Sequence, residues 1–493
     1  MSIQPKEIAQ KLEDLLDELD NTENLINPFF RISKGTPEQL HKYKVINTKF
    51  LRFTAVSQMF FGMFMSIFKV FFSIIVSPLF VSQYKLFNSQ GTRGQILFVS
   101  HGIGKNITQK DGDQFFGEIP ESLKSQGKRV SIVYTNHHLL RFTNNNKLLQ
   151  SKSNDIERFL IPKFLHPSEN LTYLKKINTL AFKSLILGIS KLRKEPIESI
   201  LLIKACIFFY TRATYSNYLI NQRVQDFLSE GGVQTLLLTF EGHSYEQFVI
   251  DETLKKFQHI KIAFYQHSPI VKDHFGITTF LKKNNHKLMI FTTGIYYKKL
   301  FEVMSNKHVI EVLGSKKFDL NKIKAISGVT PHLLFVPEGT TYATESLLNL
   351  ISIMIKADLD YFYNLRLHPN LKLSFTLSWR IKKLQANKNF VISKNSLYED
   401  LALAKFVIYR SSAAGIESLK SSAIPIFYGS QEISGLNVMG HLDNIFPSLY
   451  SINEAIDFFK TPSRTFESNK TQEFFGEMFH ELDYKKLNVL LNS

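Results

Sequence analysis

Four short stretches hold the side chains best suited to chemistry, and three of them directly follow apolar runs that read as strands. Arg366-Leu367-His368-Pro369 comes after the run Tyr361–Leu365. Pro369 ends a strand and fixes the chain direction, which leaves His368 at a sheet's carboxyl edge. There a ring N–H reaches a phosphate oxygen, and Arg366 adds a planar cationic fork. A strand-end histidine capping a carbonyl is the structural alternative. The run from Tyr409 to Glu417, YRSSAAGIE, joins a strand to a helix. Its small residues let a ligand approach the backbone, and a helix start offers free N–H groups and a positive dipole end to phosphate. Ser411 and Ser412 add hydroxyls, and Glu417 can meet a ribose hydroxyl. The alternative is a serine N-cap with Glu417 as its capping-box partner. Phe240-Glu241-Gly242-His243 follows Thr235–Thr239. An acid freed by a glycine at a strand's end can serve as general base, with His243 the competing base and a plain turn acid the alternative. Tyr265-Gln266-His267-Ser268-Pro269 follows Lys261–Tyr265 and offers His267 to an acceptor or a phosphate. His101, after the run Ile96–Val99, takes the same role, and Glu338-Gly339 after His332–Val336 is placed like a nucleotide-binding loop.

Those positions make sense only on parallel sheets. Ile96–Val99, Val130–Tyr134, Thr235–Thr239, Lys261–Tyr265 and Leu288–Thr292 are short apolar runs separated by helical patterns. Such alternation indicates a parallel sheet covered on both faces. It restarts after Gly328 with strands His332–Val336, Phe362–Leu367, Phe390–Ser393, Phe406–Tyr409 and Pro425–Tyr428, and helices Glu345–Ile355, Leu397–Ala404 and Ala414–Lys420. The expectation is α/β: two doubly wound, Rossmann-like domains at 91–320 and 321–493 facing a central cleft. Their linker is expected near 314–330, with the last helix around 470–491 crossing back onto the first domain.

Residues 1–90 read differently. A polar helical start over 1–45 precedes the most apolar segment, 55–81, which carries Lys69 at its middle. Its length suits a span, and the central lysine suits an interfacial or hairpin-like anchor in which Lys69 snorkels. A buried core helix is the third option. Basic residues on both flanks give the positive-inside rule no direction.

The chain has 493 residues and a formal charge of +17, which favours an anionic partner: a membrane surface or a phosphorylated substrate. No zinc-finger spacing, RNP-type motif or basic-region heptad is present, so nucleic acid is not expected. The single cysteine, Cys206, excludes an internal disulfide and fits a reducing compartment. No Cys/His cluster has metal-ligand spacing, so no metal and no cofactor are expected.

His368-Pro369 with Ser411-Ser412 resembles the His-Pro and Ser-Ser motifs of bacterial sialyl-, polysialyl- and Kdo transferases of capsule assembly. The resemblance covers roughly 235–430 and implies a GT-B fold, with a CMP-sugar donor held by Arg366, His368, Pro369, Ser411, Ser412 and Glu417. That family's acidic motif is two acids and a glycine, whereas here Phe240 stands at the first acid. The implied activity is an inverting glycosyltransferase of surface polysaccharide, acting on a glycan or lipid-linked acceptor. It would sit at the cytoplasmic face of a bacterial inner membrane, with Glu241 or His243 as base. Phe406–Tyr428 also resembles the CDP-glycerol glycerophosphotransferases of teichoic acid synthesis, which implies transfer of an alditol phosphate instead. A non-catalytic scaffold of a polysaccharide assembly complex is the reading from a different class.

Overall fold

The computed structural model describes residues 95–487 apart from 103–112, 137–155, 316–330, 430–436, 441–444, 462–473 and several shorter stretches, together with the helical positions Ser57, Phe61, Phe64, Met65 and Phe68. The helix expected over 1–45, most of the 55–81 segment, most of the expected linker, and Pro369 lie outside the described residues. Among the described residues, no helix is long and apolar enough to cross a membrane.

The first sheet contains β1 (Ile96–Gly102), β2 (Val130–Asn136), β3 (Glu157–Leu160), β4 (Thr235–Thr239), β5 (Lys261–Tyr265), β6 (Met289–Thr292) and β7 (Val309–Val312). All its pairings are parallel, in the order β3-β2-β1-β4-β5-β6-β7. The second contains β8 (His332–Val336), β9 (Phe362–Leu365), β10 (Phe390–Ile392), β11 (Ala404–Tyr409), β12 (Ile424–Tyr428) and β13 (Ser448–Leu449). It too is parallel, in the order β10-β9-β8-β11-β12-β13. Both are doubly wound α/β sheets, the fold class read from the apolar runs. In each, the chain leaves in one direction and returns in the other, so the order reverses between β1 and β4 and between β8 and β11. At such a switch point the flanking connections part and leave a crevice beyond the carboxyl ends of the strands.

Burial on both faces explains why the strands read as continuous apolar runs. Leu236 and Leu238 of β4 point into one core, and Leu237 points into another. Leu333 and Phe335 of β8 are likewise separated from Leu334 and Val336.

The helices are α1 (Ile119–Ser125), α2 (Pro167–Lys191), α3 (Pro196–Phe209), α4 (Arg212–Ser229), α5 (Ser244–Lys256), α6 (Phe275–Lys283), α7 (Ile295–Met304), α8 (Thr341–Lys356), α9 (Phe375–Leu384), α10 (Leu397–Leu403), α11 (Ala414–Glu417) and α12 (Ile452–Lys460). Thr340, Ser374, Ser396 and Ser451 cap α8, α9, α10 and α12 by accepting a backbone N–H three residues on. The helix expected over Ala414–Lys420 divides instead: α11 ends at Glu417 and a 3-10 turn covers Ser418–Lys420.

The C-terminal stretch returns to the first sheet. Thr293 Oγ1 donates to the carbonyl of Met478 at 3.0 Å, and the Asp483 N–H donates to the Leu313 carbonyl at 2.9 Å. Gly294 makes this approach possible, because a Cβ there would lie 2.3 Å from the Met478 carbonyl.

Candidate functional site

The first cluster sits at the β1/β4 switch point. The last core residue after β4 is Phe240, packed against Phe264, Phe280 and Phe301 at ring distances of 5.0, 5.3 and 5.4 Å. An acid at position 240 would therefore point into hydrocarbon, which gives a physical reason for the missing first acid. The next residue, Glu241, turns out of the core. Gly242 follows at φ +68°, in the left-handed region, and a Cβ there would meet the Ile277 nitrogen at 3.0 Å. The turn delivers His243 to the N-cap of α5.

Glu246 holds this turn rigid. Its buried carboxylate accepts the backbone N–H of Glu241 at 3.1 Å and of His243 at 2.9 Å. Glu241 in turn lies between two imidazoles: His243 Nε2 is 2.5 Å from Oε2, and His267 Nε2 is 2.8 Å from Oε1. Burial alone would raise the carboxyl's pKa, but the His267 and His243 rings overcome it and hold Glu241 well below the usual carboxylate value. His267 is buried, and its Nδ1 has no hydrogen-bond partner among the described residues.

His101 at the end of β1 completes the group. Its Nδ1 is 3.1 Å from Thr135 Oγ1, and its Nε2 is 3.3 Å from Thr239 Oγ1 and 3.2 Å from the Tyr245 hydroxyl. Phe115 wedges edge-on against both His101 and His267, at 5.0 and 4.9 Å. His101, Glu241 and His243 present ligand-type atoms within 4.8 Å of one another, and among the described residues they are the group able to hold a metal ion. No sequence spacing could announce it, since the sheet alone unites β1 with β4. Here each of the three is hydrogen-bonded within the protein.

The second cluster sits at the β8/β11 switch point. Glu338 follows β8, and its carboxyl pKa is raised by burial, partly offset by the Arg410 charge and the Ser411 backbone N–H. Glu338 Oε2 is buried with no hydrogen-bond partner among the described residues. Buried polar atoms in native proteins are nearly always paired, so each exception needs a cause. Arg410, itself buried, lies with its guanidinium carbon 4.9 Å from the Tyr342 ring centre. His368 packs on the backbone of Gly339: a Cβ added there would lie 2.8 Å from His368 Nδ1. Burial lowers the pKa of His368, which keeps its ring neutral near pH 7.

The structure thus gathers Glu241, His243, His267 and His101 at one edge, and Glu338, Gly339, His368 and Ser411 at the other. Ser412 Oγ accepts the Ala414 N–H at 3.3 Å and Ala413 already has helical angles, so Ser412 makes a cap-type bond at the start of α11, as the serine-cap alternative expects. Glu417 is half-buried at the end of α11, a helix of four residues whose dipole is correspondingly small. One nitrogen of the Arg366 fork is already engaged. Its Nη1 binds the fully buried carboxylate of Asp400 at 2.9 Å and the Asn395 carbonyl at 2.6 Å. Sequence reasoning passed over Arg410, Tyr342 and Glu246. Glu246 carried a usable signal, an acid three residues after the N-cap. A charge closing an apolar strand was the signal for Arg410.

No family model matches the chain, and no curated protein matches it. Solved structures of similar fold include UDP-GlcNAc 2-epimerase from Neisseria meningitidis bound to UDP-GlcNAc, at 10% identity and a TM-score of 0.44 over 81% of this chain and 100% of that one. Acinetobacter baumannii MurG gives 11% and 0.41 over 80% and 98%. The lipopolysaccharide outer core galactosyltransferase WaaB gives 8% and 0.43, also over 80% and 98%. At these values the likeness carries no argument about chemistry, and the fold class rests on the chain's own strand order.

Proposed function

We propose that this protein is a glycosyltransferase that moves a sugar from a nucleotide-activated donor to a hydroxyl acceptor. One observation supports it above the others. Both doubly wound sheets carry, at the switch point where such sheets bind ligands, a polar cluster containing a buried acceptor or ring nitrogen with no hydrogen-bond partner among the described residues: His267 Nδ1 in the first and Glu338 Oε2 in the second. Such atoms also occur elsewhere, at Gln225 and Tyr297 for example, so it is their place beside a polar cluster at each switch point that favours a ligand.

In this reading the second edge takes the nucleotide. His368, the Ser411-Ser412 turn, Gly339 and Glu338 surround its phosphate and sugar. The first edge takes the acceptor. Its hydroxyl oxygen bonds to the anomeric carbon on the face opposite the leaving phosphate, so the configuration inverts, while the bond from carbon to phosphate oxygen breaks. The hydroxyl proton passes to Glu241 and His243 acting as one coupled unit, and the departing phosphate's charge is met by the His368 ring N–H. The scheme requires no metal. The motif resemblance to sialyl- and Kdo transferases favours a CMP donor carrying an acidic sugar. The apolar 55–81 segment and the +17 charge favour a lipid-linked acceptor at the cytoplasmic face of a bacterial inner membrane.

Titration calorimetry with CMP, CDP, UDP and GDP tests the donor side. Selective CMP binding that vanishes in His368→Ala is the expected result, with a rate loss of about 10²–10³ in that variant. Preference for CDP moves the reading to alditol-phosphate transfer. Failure to bind any of the four refutes it in favour of a scaffold.

A further inference from the structure

Helix α2 is apolar on two faces, one packed and one exposed. Tyr173, Ile177, Ala181, Leu185 and Gly188 are buried, and the Ala181 carbonyl accepts from the Cys206 thiol of α3 at 3.0 Å. The other side carries Leu171, Phe182, Ile186 and Ile189, which are 64%, 60%, 53% and 55% exposed. At about 100° per residue these four fall within about 60° of one another, a single stripe along the helix. Lys175 lies in the stripe and Lys183 beside it, both exposed, and α2 as a whole carries four lysines against one glutamate. A second stripe of the same kind exists near the N-terminus, where Phe61, Phe64 and Phe68 are 65%, 66% and 56% exposed at helical spacing.

We infer that the outer stripe of α2 is a membrane-contact surface, which seats its apolar side chains below the headgroups of an anionic leaflet. Large apolar side chains aligned on a helix already packed on its other face mark a docking surface. The lysines select the occupant: they would be a liability against another apolar protein surface and are an asset against phosphate headgroups. The assignment extends the proposed membrane location to a second element and does not depend on the glycosyl-transfer reading.

Sedimentation of the full-length protein with vesicles of phosphatidylglycerol and phosphatidylcholine tests it. The wild type is expected to pellet with them at low salt. Phe182→Ser/Ile186→Ser/Ile189→Ser should bind about tenfold more weakly, with an unchanged thermal midpoint because the three side chains are exposed. Lys175→Glu/Lys183→Glu should lose binding to anionic vesicles by a similar factor. If both α2 variants bind like wild type while Phe61→Ser/Phe64→Ser/Phe68→Ser does not, the membrane location stands and the role of α2 is overturned. No binding by the wild type overturns both. A dimer in light scattering that the α2 triple variant abolishes would assign the stripe to a second copy instead. Rapid disulfide formation between Phe64→Cys and Ile186→Cys without vesicles would assign it to the chain's own N-terminal segment.

Discussion

Replacing Glu241 by glutamine isolates the charge at the centre of the first cluster. The carboxylate accepts from His267 Nε2 at 2.8 Å and meets His243 Nε2 at 2.5 Å. Glutamine offers one oxygen and one NH2, so whichever way the amide is turned, one imidazole N–H faces a donor. His267 is only 2% exposed and cannot recover that bond from water. Losing one bond to a charged acceptor costs about 1.5–3 kcal/mol, and the partly exposed His243 side, 25% exposed, adds less. We expect Glu241→Gln to lose about 2 kcal/mol of unfolding free energy at pH 7. A double-mutant cycle with His267→Asn should show a coupling above about 1 kcal/mol. The pH dependence has a definite sign. Because the folded-state pKa is depressed, Glu241 contributes stability that is fully present above its unfolded value of 4.5. That stability drains away as pH falls through the lower folded value. The gap between wild type and Glu241→Gln in urea titrations should therefore close as pH falls through the folded value of Glu241. Additive single variants, or a gap that persists unchanged into strong acid, would refute the network. Turnover should fall by about 10²–10⁴ in the same variant if the pair takes the acceptor proton.

Gly339→Ala forces a methyl to within 2.8 Å of His368 Nδ1, so nucleotide affinity should fall about tenfold by calorimetry while the thermal midpoint barely moves. Asp400→Ala strips the carboxylate that accepts from Arg366 at 2.9 Å, from Asn364 at 3.1 Å and from Ser393 at 2.6 Å. Urea unfolding should show a loss of about 3 kcal/mol, at the low end for a broken buried pair because Arg366 is 29% exposed. Cys206, whose thiol burial pushes up to about 12, should resist a thiol reagent in the native protein and react only on unfolding.

What could be read in the sequence follows from which interactions are local. Thr235–Thr239, Lys261–Tyr265 and His332–Val336 coincide with the apolar runs because a strand covered on both faces has to be apolar throughout. The short edge strands Glu157–Leu160 and Val309–Val312 carry glutamate and arginine, so no run marked them. The helix starts at Thr340, Ser374 and Ser396 are local capping chemistry, and Ser412 makes a similar local bond to the Ala414 N–H. The diversion of Arg366 could not be foreseen, because Asp400 reaches it from a different βα unit. His101 and Glu241 likewise meet only because β1 pairs with β4.

The two clusters shift their carboxyl pKa values in opposite directions, down at Glu241 and up at Glu338. Glu241 is held ionised by two imidazoles, whereas burial pushes Glu338 toward its neutral form against the pull of Arg410. A second ionised carboxylate would repel a nucleotide phosphate at the edge where His368 waits. In the proposed reading, the raised carboxyl pKa of Glu338 and the neighbouring Arg410 charge both lessen that repulsion. Environments that push two acids apart in this way divide acid and base roles between them. In the proposed reading, the proton acceptor then belongs on the first sheet and the nucleotide phosphate on the second. That is the order in which a hydroxyl nucleophile and a phosphate leaving group would have to be received.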